Sequence, residues 1–165
     1  MQRFRRACFV LLGAALVAGA VLAPAAAAQA AGWQPGPGAI LSNTYDGYID
    51  APQAGATVAA NGTIVNGWFV DRSAEGWAGA DDIQIWLGAM DGGGRMLARA
   101  NIAQDRPDVA AALENPYWTA SGFSAFVPAI DAGSQTLSVY AHTPAKGWWF
   151  KQVSIVASTT APLAA

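Results

Sequence analysis

Between residues 48 and 157 the chain alternates short apolar or β-branched runs with Gly, Pro and Asn turns. Ile83, Ile85 and Leu87 alternate with Gln84 and Trp86, the period of two expected of a strand with one buried face. The run 63–70 is rich in β-branched and aromatic residues and follows the turn dipeptide Asn61-Gly62. Asp91-Gly92-Gly93-Gly94 turns the chain into 95–102, which predicts a hairpin with 83–87. Three further strands are predicted at 122–127, 135–142 and 148–156, with shorter pieces at 48–50 and 57–59. The one helical signal covers 105–114, where Asp105, Pro107 and an alanine run suit a helix start and Asn115-Pro116 ends it. This density of strands predicts an all-β antiparallel sandwich carrying one short helix in a loop.

The two ends break the pattern. Met1 to Arg6 is basic, an uncharged apolar run follows from Ala7 to Leu22, and Ala28-Gln29-Ala30 has the small-x-small form of a cleavage site. Residues 1–30 are therefore expected to be a secretory signal peptide, with the mature chain starting near Ala31 and destined for the periplasm, the cell surface or the medium. Sixteen apolar residues rise only about 24 Å as a helix, short of a bilayer core, so no stable membrane insertion is expected after cleavage. Cys8 lies early in the run and does not suit lipid attachment. Residues 31–47 hold Gly32, Pro35, Gly36, Pro37, Gly38 and Gly47 and read as a flexible leader, either a linker or an arm along a sheet edge. A disordered tail is expected over 158–165.

Composition narrows the function. Of 165 residues 53% are hydrophobic and only 12% charged, enough to bury the core of one domain. Setting aside Arg3, Arg5 and Arg6 leaves six cations against eleven acids, a formal charge of −5. The remaining cations are scattered, which argues against nucleic acid as a partner. The chain beyond Cys8 has no cysteine and a single histidine, His142, so neither disulfides nor a zinc site of those ligands is available.

Five pieces in order resemble a bacterial immunoglobulin-like domain of secreted and cell-surface proteins. They are Gly67-Trp68-Phe69-Val70-Asp71-Arg72, Asp82-Ile83-Gln84-Ile85-Trp86, Arg106-Pro107-Asp108-Val109, Ser121-Gly122-Phe123 and Leu137-Ser138-Val139-Tyr140-Ala141-His142. The resemblance spans roughly 48–156 and implies a spacer, display or adhesion module, with an unknown protein or a surface glycan as partner and no catalytic residues or cofactor. Trp77 in the loop after Arg72, and Trp148-Trp149, depart from its usual pattern. Gly67 suits a bulge or a close backbone approach, and Trp68 is expected to fill the sandwich. Asp71 and Arg72 are expected to join Arg106 and Asp108 in an ion-pair network that pins the long loop to the helix, or else to be solvated separately.

Candidate chemistry is sparse. His142 reads as a polar residue at a strand end, without a partner or a Gly-x-Ser-x-Gly turn nearby. Asp81 and Asp82, if both in a strand, point to opposite faces and cannot flank one bond, even with Asp50 close by. Asp46, Asp50, Asp71, Asp81, Asp82 and Asp91 do not fall into the spacing of a calcium loop. The aromatics offer more. With Ile83, Ile85, Leu87, Leu137, Val139 and Ala141 inward, Trp86 and Tyr140 point outward. Val153 and Ile155 inward would send Trp149 inward and Trp148 and Phe150 outward, but the same parity buries Lys151, which predicts a bulge or a register shift. Trp86, Tyr140, Trp148 and Phe150 thus form a candidate exposed strip for sugars or another protein, unless the leader, a loop or the helix covers it. The reading that follows is a non-catalytic module with a structural, display or protein-interaction role, with carbohydrate binding as the alternative.

Overall fold

A computed structural model of the chain describes residues 32–40 and 42–160. The segment read as a signal peptide lies outside the described residues, as does the tail beyond Thr160. The described residues form ten strands in two sheets. One sheet runs β1 (Gln34–Pro35), β10 (Gly147–Ser158), β9 (Gly133–Thr143), β5 (Asp82–Leu87) and β6 (Arg95–Arg99), with β3 (Thr57–Ala59) also against β10. The other runs β2 (Tyr45–Ala51), β4 (Thr63–Asp71), β8 (Gly122–Val127) and β7 (Asn101–Gln104). Only β3 with β10 is parallel. In the lettering of the immunoglobulin fold, β2-β4-β8-β7 is A-B-E-D and β5-β9-β10 is C-F-G, with β6 added beside C. The expected immunoglobulin-like sandwich is thus the fold.

Alternation builds its core. Ile83, Ile85, Leu137, Val139, Val153 and Ile155 face Val65, Phe69, Phe123 and Val127 from the other sheet, all almost fully buried. Each such side chain contributes about 1.5–3 kcal/mol when removed from water. A close approach occurs where expected: a Cβ on Gly67 would collide with the Tyr48 carbonyl oxygen, opposite the irregularity between Ile49 and Ala51. Only glycine permits that contact.

Four expectations need correction. The described part of this N-terminal stretch, 32–40 and 42–47, is no loose leader, because Trp33 is 2% exposed in the core against Phe69, Gln34 and Pro35 pair with β10, and β2 already begins at Tyr45. Among the two forms weighed, the arm along an edge is the one adopted. The stretch 95–102 is not one hairpin strand, since the chain leaves β6 at Arg99 and enters β7 in the opposite sheet at Asn101. The helix α1 is shorter than predicted, Pro107–Ala112, and Pro116 opens a 3-10 helix, Pro116–Ala120, whose first turn is capped by the Asn115 side chain accepting from the Tyr117 amide. Lastly, β10 keeps an unbroken register from Gly147 to Ala157, so Lys151 is buried without a bulge. Its Nζ donates to the Gly47 carbonyl at 3.3 Å and lies 5.5 Å from the Tyr48 ring centroid. The ammonium thus meets a backbone acceptor and a ring face while it stays buried.

Candidate functional site

The outer face of the first sheet is set by the same alternation that fills the core. Register places Gln84, Tyr140 and Phe150 in one row across β5, β9 and β10, and Asp82, His142 and Trp148 in the next. Trp86, Tyr140, Trp148 and Phe150 therefore share the outward side, as their parity predicts. The rings touch: Tyr140 stacks on Phe150 at 5.0 Å between centroids and meets Trp86 edge-on at 6.2 Å.

The strip is nevertheless not open along its length. Tyr140 is fully buried, and Trp86, Trp148 and Phe150 are half-buried. Two segments roof it. The backbone at Gly36 passes so close that a Cβ there would be 3.1 Å from the Tyr140 ring, and the Gly36 amide donates to the Trp148 carbonyl at 2.9 Å. From the other side, the Met90 amide donates to the Tyr140 hydroxyl at 3.0 Å. Burial pushes that phenol above its ordinary range. Tyr140 is a covered anchor for the arm and the 88–94 turn, and the exposed strip is corrected accordingly.

The charges singled out in the sequence hold loops rather than meet in one network. Asp71 ends the inward parity of β4, so its carboxylate enters the interior and pairs with Lys146 at 2.6 Å, not with Arg72 or Arg106. It also accepts from Thr44 Oγ1 at 2.6 Å, the Ser73 amide at 2.9 Å and Ser73 Oγ at 2.8 Å, while Lys146 donates to Ser73 Oγ as well. Burial pushes this carboxyl up, but the hydrogen bonds from Lys146, Thr44 and Ser73 outweigh it and hold the pKa below 3.8. Arg72 turns outward to Asp46 at 2.6 Å and lies 5.8 Å from the Trp118 ring of the 3-10 helix. Arg106 clamps Asp108 at 2.8 Å and Asp50 at 2.6 Å, tying α1 to β2. Its hydrogen bonds hold the Asp108 carboxyl at about 2. Trp68 faces away from the sandwich core and packs instead with Val70, Ala78 and Trp118 in a satellite cluster beneath the helical loop.

The sequence did not reveal the end of the sandwich beside β5. His142 has a partner after all: its Nδ1 is 2.6 Å from the Asp81 carboxylate. Asp81 precedes β5, so strand alternation does not separate it from Asp82, and both line one open recess of about 420 Å³ with Arg99, His142 and Trp148. Arg99 closes on Asp82 at 2.9 Å, and the Trp148 ring lies against His142 with centroids 4.9 Å apart. Asp82 also accepts from Gln84, whose side-chain oxygen accepts from the Trp86 indole. Asp81 is shared with a second, more apolar cleft of about 230 Å³ walled by Trp77, Ala78, Ala80, Ile102 and Tyr117. Trp77 is 40% and Tyr117 62% exposed. Trp77 drew notice in the sequence only as an unusual loop residue; nothing in the local pattern joined it to Tyr117, forty positions on.

This arrangement can orient an imidazole and offer donors, acceptors and ring faces to a ligand. Among the described residues no serine or threonine hydroxyl bonds to His142, and no group of three or more His, Cys, Asp or Glu side chains could hold a metal ion. No helix among them is long and apolar enough to cross a membrane.

No protein-family model matches the chain, and no curated protein sequence matches it. Solved structures similar to it include a fibronectin(III)-like module of CbhA from Clostridium thermocellum, with a TM-score of 0.43 and 13% identity over 71% of this chain and 100% of that one.

Proposed function

We propose that this chain is an exported, non-catalytic immunoglobulin-like module with a structural, display or protein-interaction role at or beyond the cell surface. The observation that supports this most directly is the employment of its charged side chains. Asp71 with Lys146, Arg72 with Asp46, and Arg106 with Asp50 and Asp108 each fasten a loop or helix onto a strand. Such fasteners suit a module that must hold its shape while its end loops make contact. Export is supported by the basic, apolar and small-residue layout of residues 1–30.

The test has two arms. Expression of the full chain in a secreting bacterial host should release a product whose first residue is near Ala31, read by mass spectrometry; an unprocessed intracellular product would overturn export. The released protein should unfold cooperatively with the same midpoint with and without a chelator. A midpoint that falls on chelation would replace the metal-free module with a calcium-stabilised one.

A further inference from the structure

Building on the proposed interaction role, we infer that the paired recesses at the β5 end of the sandwich form a binding site for a neutral oligosaccharide. Each recess supplies a different half of what such a ligand needs. The larger one presents Arg99 as a donor, Asp81 and Asp82 as acceptors, and His142 with the Trp148 ring beside it. The smaller presents apolar walls with Trp77 and Tyr117 exposed at its rim. Asp81 belongs to both, so the two are adjoining subsites rather than separate pits.

Charge selects the ligand class. An anion entering the larger recess would meet two carboxylates, and a cation would meet the Arg99 guanidinium, whose side chain is 68% exposed. A sugar carries no net charge, and each hydroxyl both donates and accepts, so it can use both signs at once. The apolar face of a pyranose matches a tryptophan or tyrosine ring and gains by leaving water there. The combined space, roughly 650 Å³ from the two cavities, is in the range of small-ligand sites and leaves room for more than one sugar unit. This site differs from the outward strip: it shares Trp148 but replaces the covered Tyr140 with Trp77 and Tyr117.

The experiment is calorimetric titration of the secreted protein with cellohexaose, xylohexaose, chitohexaose and maltohexaose at millimolar concentration, with NMR of the indole N–H signals in parallel. At least one hexaose should bind and shift the Trp77 and Trp148 indole signals. Trp77→Ala and Arg99→Ala, both altering exposed side chains, should each weaken that binding about three- to tenfold without changing the melting temperature. Phe126→Ala, exposed on the outer face of the other sheet, should leave it unchanged. No binding by any hexaose, or binding that the Trp77 and Arg99 variants leave intact, overturns the saccharide site. A protein partner captured with all four sugars silent would sink this inference while leaving the interaction role standing. Release of reducing ends from a hexaose would keep the site but refute the non-catalytic reading.

Discussion

Replacing Lys146 by methionine tests the most deeply placed ion pair. The Asp71 side chain is 2% exposed and that of Lys146 18%, so the substitution leaves a carboxylate inside the protein without its countercharge. Breaking a buried pair in this way costs about 3–5 kcal/mol. Asp71 keeps Thr44 and two donors on Ser73. It can also take up a proton, so the expected loss at pH 7 is about 2–3 kcal/mol, below that range. For a domain of this size that is a fall in melting temperature of about 6–12 °C. The pH dependence gives the sharper signature. In the native protein the Asp71 carboxyl lies below 3.8, so its contribution is fully present above the unfolded pKa and disappears as pH falls through the folded one. Without Lys146, only the Thr44 and Ser73 hydrogen bonds oppose the burial penalty; the carboxyl should titrate higher and the penalty should ease on protonation. The gap between the two proteins, measured by thermal unfolding from pH 7 to pH 3, should therefore shrink as acid is added. A loss below about 0.5 kcal/mol at pH 7, within the range of a surface pair, or a gap that does not change with pH, would refute the reasoning.

Two further outcomes follow from the buried groups. Trp33→Ala should cost about 3–5 kcal/mol by urea unfolding, as a core ring does; a cost near zero would return residues 31–47 to the status of a loose leader. Burial holds the Lys151 ammonium below its ordinary 10.5, against a smaller opposite pull from Asp46. Above the folded pKa the unfolded chain binds more protons, so native stability should rise between that value and 10.5. Lys151→Met should lose this alkaline gain, and unfolding midpoints compared at pH 8 and pH 10 would show it.

What could be read from the sequence was the part encoded in local periodicity. The inward parity of 83–87 and 137–141 fixed both the core and the outward direction of Trp86 and Tyr140, and two glycine-flanked turns marked the strand borders. Parity says which side a ring takes, however, and not what lies above it. Tyr140 is roofed by Gly36, about a hundred positions away in sequence, and by Met90, 50 positions away. Trp33 escaped for a related reason: one tryptophan among glycines and prolines has no periodic neighbours to declare its burial. The change of sheet at Ala100 left no trace because both strands carry the same mixed, half-exposed pattern. Lys146 reaches Asp71 across 75 residues and Asp81 meets His142 across 61, so neither the internal ion pair nor the recess was written in any short stretch.

The outer margin of β10 is occupied by the chain itself, by Gln34 and Pro35 near one end and by β3 near the other. A strand so occupied offers few bare amides to a neighbouring molecule. The N-terminal arm therefore covers part of that edge as well as plugging the interior with Trp33. A cut between Gly36 and residue 42 would remove Gln34, Pro35 and Trp33 together, opening the core and baring the β10 backbone at Trp149 and Phe150 while β3 still covers the other end.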